Sequence, residues 1–392
     1  MLLSFEIENY RSIGKLVLDF SFAEKRAPRN YQEKETLSFI GEGNIRVVPC
    51  LALFGPNASG KSNILRAMQS LQNIVKGSFE GDEYDPNRQQ DFGPTTHYRL
   101  KFLSDHYSYT YDLSHDGKQL LEESLSVDET LVYSIRENKI TDFSQEGNHL
   151  FKSHCLDSDD YFHTPFLSAI GQGKENHDKR IIDAFDYMTN RMEISRSSRF
   201  TLDHCVGKLA FSKGKDALQA ASKRIVQVLR KLDIDITRLE FNIGGESNTN
   251  IVSFHQSHRG GEYWMDFDDE SEGTKRLVCL LGVMLSALEQ GHVLVVDELD
   301  NSIHPMLFVE LVRLFKEKRY NSHNAQLIFT THNTDIMDRD LMRISEIAIV
   351  GKNSKRGTTI ARISDFEGIE NVTKFRKLYL QGRFSGIPYP YI

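Results

Sequence analysis

Gly55-Pro56-Asn57-Ala58-Ser59-Gly60-Lys61-Ser62 spaces its glycines, lysine and serine as G-x-x-x-x-G-K-[ST]. Glycine lets the backbone turn its N–H groups inward, so a loop of this type wraps the oxygens of a phosphate chain. On that reading Asn57, Ala58, Ser59 and Gly60 line the cradle, Lys61 neutralises the β- and γ-oxygens, and Ser62 offers its hydroxyl to Mg²⁺. Chance produces such a match on the order of once per hundred chains of this length. The loop also sits where the chemistry requires it. An apolar run of buried-strand type, Val47 to Phe54, precedes it, and a helical stretch with Ile64, Ala67, Met68 and Leu71 on one face follows. A glycine turn that merely caps a helix is the blander reading, and this context argues against it.

Three further segments can act on a bound phosphate. In Val293-Leu294-Val295-Val296-Asp297-Glu298, four apolar residues make a buried parallel strand with two acids at its C-terminal end, where ligands bind in such sheets. Asp297 is then a Mg²⁺-shell ligand and Glu298 the base that polarises the attacking water. An isolated acid pair at a strand end is usually a solvated turn; downstream of a phosphate loop, the catalytic reading prevails. Ile328-Phe329-Thr330-Thr331-His332 brings His332 to the same sheet edge, as a hydrogen-bond donor to a γ-phosphate. Glu270-Ser271-Glu272-Gly273-Thr274-Lys275-Arg276 opens the apolar helix Leu277 to Leu288. Ser271 and Gly273 at a helix start expose free N–H groups to an anion. Many N-caps look alike, and it is the position shortly before Asp297 that makes this one informative.

The elements that carry these residues are legible in outline. Strands are expected over 2–10 and 16–20, and a β-rich stretch from Tyr98 to Phe143, with Asp116-Gly117 as a hairpin turn. Helical spacing appears over 179–192 and 217–232, and strands return at 239–243 and 251–254. A helix at 274–289, a strand at 292–296, a helix near 305–318 and strands at 326–331 and 347–350 then alternate, as in a parallel-sheet α/β fold. Roughly 240 residues separate Lys61 from Glu298, more than the 100–150 of a usual domain. The expected organisation is therefore an α/β P-loop core with an N-terminal β-rich lobe (1–149), a largely helical lid or arm inserted at 150–250, and the rest of the core at 251–392.

Composition excludes several classes. Of 392 residues, 39% are hydrophobic and 26% charged, enough for a proper core and too ordered a mix for low-complexity chains. A net charge of −7 argues against coating nucleic acid through bulk electrostatics, although a basic groove depends on where charge lies. Cys50, Cys155, Cys205 and Cys279 lie far apart, without C-x-x-C spacing, which indicates neither a disulfide framework nor a zinc site. The run Leu277 to Leu288 is shorter than the roughly 18 residues of a membrane span. Glu6 interrupts the N-terminal apolar residues too early for a signal peptide. A cytoplasmic location without membrane attachment is expected.

The order of phosphate loop, Ser-x-Gly helix start, Asp-Glu strand, Leu299-Asp300 turn and Thr-His strand resembles the ATP-binding-cassette class of P-loop ATPases. Within that class the chain looks like the SMC/RecF/OLD branch, whose I-x-N-[FY]-R-S opening is similar to Ile7-Glu8-Asn9-Tyr10-Arg11-Ser12. It resembles still more the AAA-type ATPases of abortive-infection systems, the RloA/AbiL-like group. That likeness rests on the Glu270–Arg276 segment, Asp297-Glu298-Leu299-Asp300 with His304-Pro305, Ala325 to His332, and the tail Gly382 to Pro388. The resemblance implies ATP and Mg²⁺ as cofactors and a homodimer that sandwiches two ATP molecules. Ser271 and Gly273 of one subunit would bind the γ-phosphate of the other, with Asp300 relaying between sites. It further implies a sensor that controls a separately encoded effector nuclease or toxin in anti-phage defence.

The chain also departs from that pattern. Its Glu-Ser-Glu-Gly-Thr-Lys lacks the usual leading Leu-Ser and trailing Gln, and Ser345-Glu346-Ile347 stands where the group often has Asp-Gln-Ile. Asp266, Asp268, Asp269, Glu270 and Glu272 crowd the proposed anion site, so their side chains must point elsewhere. Gln89 and Gln90 are candidate Mg²⁺-sensing glutamines without a fixed position. Lys208, Lys213, Lys215, Lys223, Arg224, Arg230, Lys231 and Arg238, preceded by Arg191, Arg196 and Arg199, could present a nucleic-acid face or a partner surface. In so acidic a chain a solvated helix face is the favoured reading. Roughly 60 residues follow His332, too few for a nuclease domain of the Toprim type, and Asp335, Asp338 and Asp340 read as caps. The alternative function is a RecF/SMC-like DNA-repair ATPase that clamps DNA when ATP closes its dimer. A transporter's nucleotide-binding subunit ranks last, because the Asn9-Tyr10-Arg11-Ser12 opening speaks against it.

Overall fold

The computed structural model describes residues 1–22, 38–40, 45–77, 84–88, 93–136, 139–143, 163–172, 178–195, 214–244, 248–353, 357–369 and 374–384. Its phosphate loop joins strand β5 (Cys50–Phe54), buried at every residue, to helix α1 (Lys61–Val75). A strand buried throughout needs cover on both faces, and β5 has it. Leu51 and Leu53 enter one hydrophobic core, while Cys50, Ala52 and Phe54 enter a second.

Beside β5 lie β16 (Gln326–Thr330), β15 (Val293–Val296) and β11 (Met192–Ser195), all parallel, and on its other side β17 (Ile347–Asn353), also parallel. The same period of two splits β15: Val293 and Val295 face the first core, Leu294 and Val296 the second. From β17 the sheet continues antiparallel through β18 (Gly357–Arg362), β2 (Ile13–Asp19) and β1 (Leu2–Tyr10). It ends in a meander of β6 (Thr96–Ser104), β7 (Tyr107–His115), β8 (Leu120–Val127), β9 (Thr130–Arg136) and β10 (Lys139–Phe143). The whole is one 13-stranded sheet among the described residues. The expected N-terminal β-rich lobe corresponds to β1, β2 and β6 to β10 of this antiparallel half, to which β18 adds a strand from the other end of the chain. The remaining short strands, β3 (Ser38–Ile40) and β4 (Ile45–Val47), pair with each other.

Within 150–250 the described elements mix helix and strand. Helices α2 (Phe166–Gly171) and α3 (Lys179–Thr189) pack into the first core, and β11 extends the main sheet beside β15. The largely helical lid or arm expected at 150–250 is not confirmed: its described residues combine three helices with strands, one of which joins the main sheet. The four residues of β11 were too short a run to separate from the preceding helix by periodicity. Helix α4 (Gly214–Lys231) leads into an antiparallel sheet of β12 (Arg238–Gly244), β13 (Asn248–Gln256) and β14 (Glu262–Asp266), which feeds helix α5 (Glu272–Gln290). Helices α6 (Pro305–Lys316) and α7 (Phe375–Leu380) complete the second core. No described helix is long and apolar enough to cross a membrane.

Two buried carboxylates tie distant segments together. Glu123 on β8 accepts from the Tyr111 and Tyr133 hydroxyls and from the backbone N–H of Phe166 and Leu167, fastening α2 to the meander. Glu346, in the variant Ser-Glu-Ile, accepts from Lys316 at 2.6 Å and from the Arg343 N–H at 2.8 Å. The residue that departs from the expected pattern therefore pins α6 to the start of β17. Cys50 and Cys279 are buried; Cys155 and Cys205 lie outside the described residues.

His115, fully buried at the end of β7, stacks on Tyr98 with ring centres 5.9 Å apart. Burial lowers its pKa from 6.5 to about 4, against a smaller opposing pull from Asp116. A depressed folded-state pKa gives stability that is present above pH 6.5 and lost as pH falls through 4. Acidification from pH 7 to 5 should cost about 2 kcal/mol through this residue. His115→Phe, which keeps the ring stack, should flatten that part of the profile in urea titrations; an unchanged slope would contradict the assignment.

Candidate active site

The phosphate loop is held in its turn by close approaches. Gly60 adopts φ 107°, and a Cβ there would run into Thr358; Gly55 lies against the Val350 carbonyl in the same way. Only glycine fits either position. Thr358 donates to the Ser59 carbonyl at 3.1 Å and shares a 2.7 Å hydroxyl pair with Ser12, which also accepts from Asn63 at 2.8 Å. The β1–β2 turn and the start of β18 thus brace the loop from outside. Lys61 Nζ donates to the carbonyls of Gly55 and Pro56 at 2.8 and 3.1 Å, spanning the loop's interior. Burial lowers its pKa, countered by Asp297, Glu298 and Asp300. Asn57 and Ala58 are exposed at the rim, while the Ser59 hydroxyl is buried without a hydrogen-bond partner among the described residues.

The acids arrive from β15. Asp297 Oδ1 accepts from the Ser62 hydroxyl at 3.2 Å and from the Thr330 hydroxyl at 2.6 Å. Thr330 in turn accepts the Glu298 N–H at 2.7 Å. Glu298 has φ 52°, in the left-handed region, at a cost of about 1–3 kcal/mol for a residue with a Cβ. Thr330 at its N–H and Arg276 Nη2, 2.7 Å from its carbonyl, hold it there. His332 follows β16 and donates its backbone N–H to Asp300 Oδ2 at 3.3 Å; Asp300 Oδ1 is buried without a partner among the described residues. Burial and the Lys61 charge lower the His332 pKa, which favours the neutral ring with one N–H to donate.

Asn57 to Ser62, Asp297, Glu298, Asp300 and His332 therefore share one edge of the parallel sheet. Ser271 and Gly273 do not join them directly. Ser271 caps α5, accepting the Thr274 N–H at 3.1 Å, and Gly273 lies against the Ser302 carbonyl in the turn after Glu298. Of the crowded acids, Glu270 turns away, accepting from Ser253 at 2.7 Å and pairing with His255, while Glu272 stays in the first turn of α5 and pairs with Lys275 at 2.6 Å. Gln89, Gln90 and the tail from Ser385 lie outside the described residues. Thr330, Arg276, Ser12, Asn63 and Thr358 were missed as site residues. Thr330 and Arg276 stand inside the motifs already singled out. Ser12 and Thr358 are brought together only by the β18–β2 pairing.

Among the described residues, three arginines of the middle segment are engaged in ion pairs. Arg224 pairs with Glu289, Arg238 pairs with Glu240 and lies over the Phe254 ring, and Arg191 pairs with Asp186 at 2.7 Å. Arg196, Arg199, Lys208 and Lys213 lie outside the described residues, as does the Lys215 side chain. Asp335 pairs with Arg376 at 2.8 Å and Asp338 caps the Asp340 N–H, in keeping with structural roles.

Residues 50–338 match the family described as "AAA domain, putative AbiEii toxin, Type IV TA system". The chain belongs to that AAA family. No curated protein matches it. Among solved structures, this AAA chain is similar to the SMC head domain from Thermotoga maritima, at 15% identity and TM-score 0.45 over 92% of the chain and 98% of that structure. It is similar also to the Smc head domain with a coiled coil and joint from Pyrococcus yayanosii, at 11% identity, TM-score 0.48, 92% and 96% coverage. A third is cbiO1 of Clostridium perfringens, part of the ABC transporter complex cbiONQ, at 12% identity, TM-score 0.34, 97% and 96% coverage.

Thr330→Val removes one hydroxyl that serves both acids while keeping the side chain's shape. It should cost about 1–3 kcal/mol in stability and raise the Mg²⁺ concentration needed for nucleotide binding. Urea unfolding and a Mg²⁺ titration with fluorescent ATP check both; an unaltered Mg²⁺ requirement would remove Thr330 from the site.

Proposed function

We propose that this AAA chain binds and hydrolyses ATP as an ABC-type ATPase, closes as a homodimer around the nucleotide, and acts as a sensor that regulates a separate nuclease or toxin effector in anti-phage defence. The observation that supports the chemistry best is the convergence of the phosphate loop, Asp297 and Glu298 at one sheet edge. Placement in a family whose description names a toxin–antitoxin system supports the biological half. The closeness to the RloA/AbiL-like group is part of this proposal, as are the boundaries at 149/150 and 250/251 and a cytoplasmic location.

Each residue has a definite task on this reading. Backbone N–H groups of residues 57–62 and the Lys61 ammonium bind the β- and γ-phosphates. Ser62 and Asp297 would hold Mg²⁺, whose chemistry is to neutralise phosphate charge. The two oxygens, a hydroxyl and a carboxylate 3.2 Å apart, are of the hard type that Mg²⁺ takes beside phosphate and water. Glu298 accepts the proton of the attacking water. Neutral His332 donates a hydrogen bond to charge developing on the γ-phosphate. Ser271 and Gly273 would contact the partner's nucleotide, and Asp300 would connect the two sites.

Lys61→Ala should lower ATP affinity about a hundredfold, read by equilibrium dialysis; normal affinity would overturn the phosphate-loop assignment. Glu298→Gln should slow turnover about 10²–10³-fold and accumulate an ATP-bound dimer in light scattering. A Glu298→Gln protein that stays monomeric in Mg-ATP would remove the dimer from the proposal. Co-purification of that variant with duplex DNA ends, in place of an effector protein, would move the reading to a DNA-clamping ATPase.

A further inference from the structure

Helix α4 and helix α6 both pack on the C-terminal end of α5, and a cavity of about 470 Å³ opens between them. That volume is within the range of small-molecule sites. Its floor is apolar: Val228 from α4, Leu285 and Leu288 from α5, and Leu311 and Leu314 from α6. Its mouth is cationic. The Tyr320 ring has the Arg319 guanidinium 4.6 Å from its centre and the Lys231 ammonium 5.7 Å from it.

The charges at the mouth are unequal in their compensation. Arg224 pairs with Glu289, Arg313 with Glu310 at 3.0 Å, and Arg319 with Glu317 at 2.5 Å. Lys231 has no carboxylate partner among the described residues and is exposed beside the cavity. An apolar floor with one uncompensated cation at its rim selects a ligand with an apolar body and a single anionic group. We propose that this cavity binds a small amphipathic anion, a carboxylate, sulfonate or phosphate on an apolar ring or short chain. The anion meets Lys231 and the body lies on Leu285 and Leu288. The cavity lies roughly 20 Å along α5 from Ser271, so an occupant does not obstruct the phosphate loop, and the site stands whether or not the chain hydrolyses ATP.

The probe is 1-anilinonaphthalene-8-sulfonate, titrated into the full chain and followed by fluorescence, beside N-phenyl-1-naphthylamine, which has the same rings without the sulfonate. One equivalent of the sulfonate should bind with a blue shift, and the neutral probe at least about tenfold more weakly. Lys231→Ala should cost about tenfold in sulfonate affinity. Val228→Trp, which fills the cavity, should abolish saturable binding while ATP affinity and circular dichroism stay unchanged. If Val228→Trp does not fold, the exposed Lys231→Ala variant decides alone. Equal sulfonate affinity in Lys231→Ala and the parent chain overturns the proposal. So does binding of a labelled acidic amphipathic helix where the sulfonate fails to saturate, which would assign the cavity to a protein partner.

Discussion

The hydroxyl of Thr330 joins the two acids of β15 to the neighbouring strand, and much of the site's geometry follows from it. It donates to Asp297 at 2.6 Å and accepts the Glu298 N–H at 2.7 Å. A chain leaving a buried strand must pair its polar groups or leave them costly in low dielectric. Here one side chain on β16 satisfies both, and so fixes where β15 ends. Asp297 is then left within reach of Ser62, and Glu298 is turned into the left-handed region. The strain of that turn is sustained because Arg276 takes the Glu298 carbonyl from the other side.

Local patterns made the chemistry legible. A glycine-lysine-serine loop after an apolar run and an acid pair after four apolar residues each carry their structural context in a few residues of sequence, so β5, α1 and β15 were placed well. What escaped was set by topology. β11 spans four residues, and it became a strand because β15 offered it a parallel edge with register Met192 to Val293. β14 and β18 are short partners of strands that were anticipated, and no period distinguishes them from loop. The Ser12–Thr358 contact joins residues at opposite ends of the chain.

The departures from the expected family pattern also have physical reasons. Glu346 replaces a Gln-type residue and is fully buried, a position that is tolerable only because Lys316 and the Arg343 N–H meet its oxygens. Removing either partner would leave a buried charge unmatched, so the pair constrains α6 and β17 as a unit. Glu270, just before α5, is similarly drawn back to Ser253 and His255 on β13, while Ser271 caps the helix by accepting the Thr274 N–H.

Arg276 gives the proposed dimer a physical route between its two halves. It lies one turn inside α5, the helix that Ser271 and Gly273 begin, and its guanidinium holds the carbonyl of Glu298. If a partner's γ-phosphate seats against the start of α5, any rotation or shift of that helix moves Arg276, and the strained Glu298 is the residue that must respond. A relaxed residue would absorb such a shift across a broad energy well. Glu298 is kept at φ 52° by the Thr330 hydroxyl at its N–H and by Arg276 and the Asn301 N–H at its carbonyl, so a shift of Arg276 would act directly on a strained residue. On the proposed function, closure around ATP and the placement of the Glu298 carboxylate would be coupled through the position of α5, each biasing the other by the same free energy.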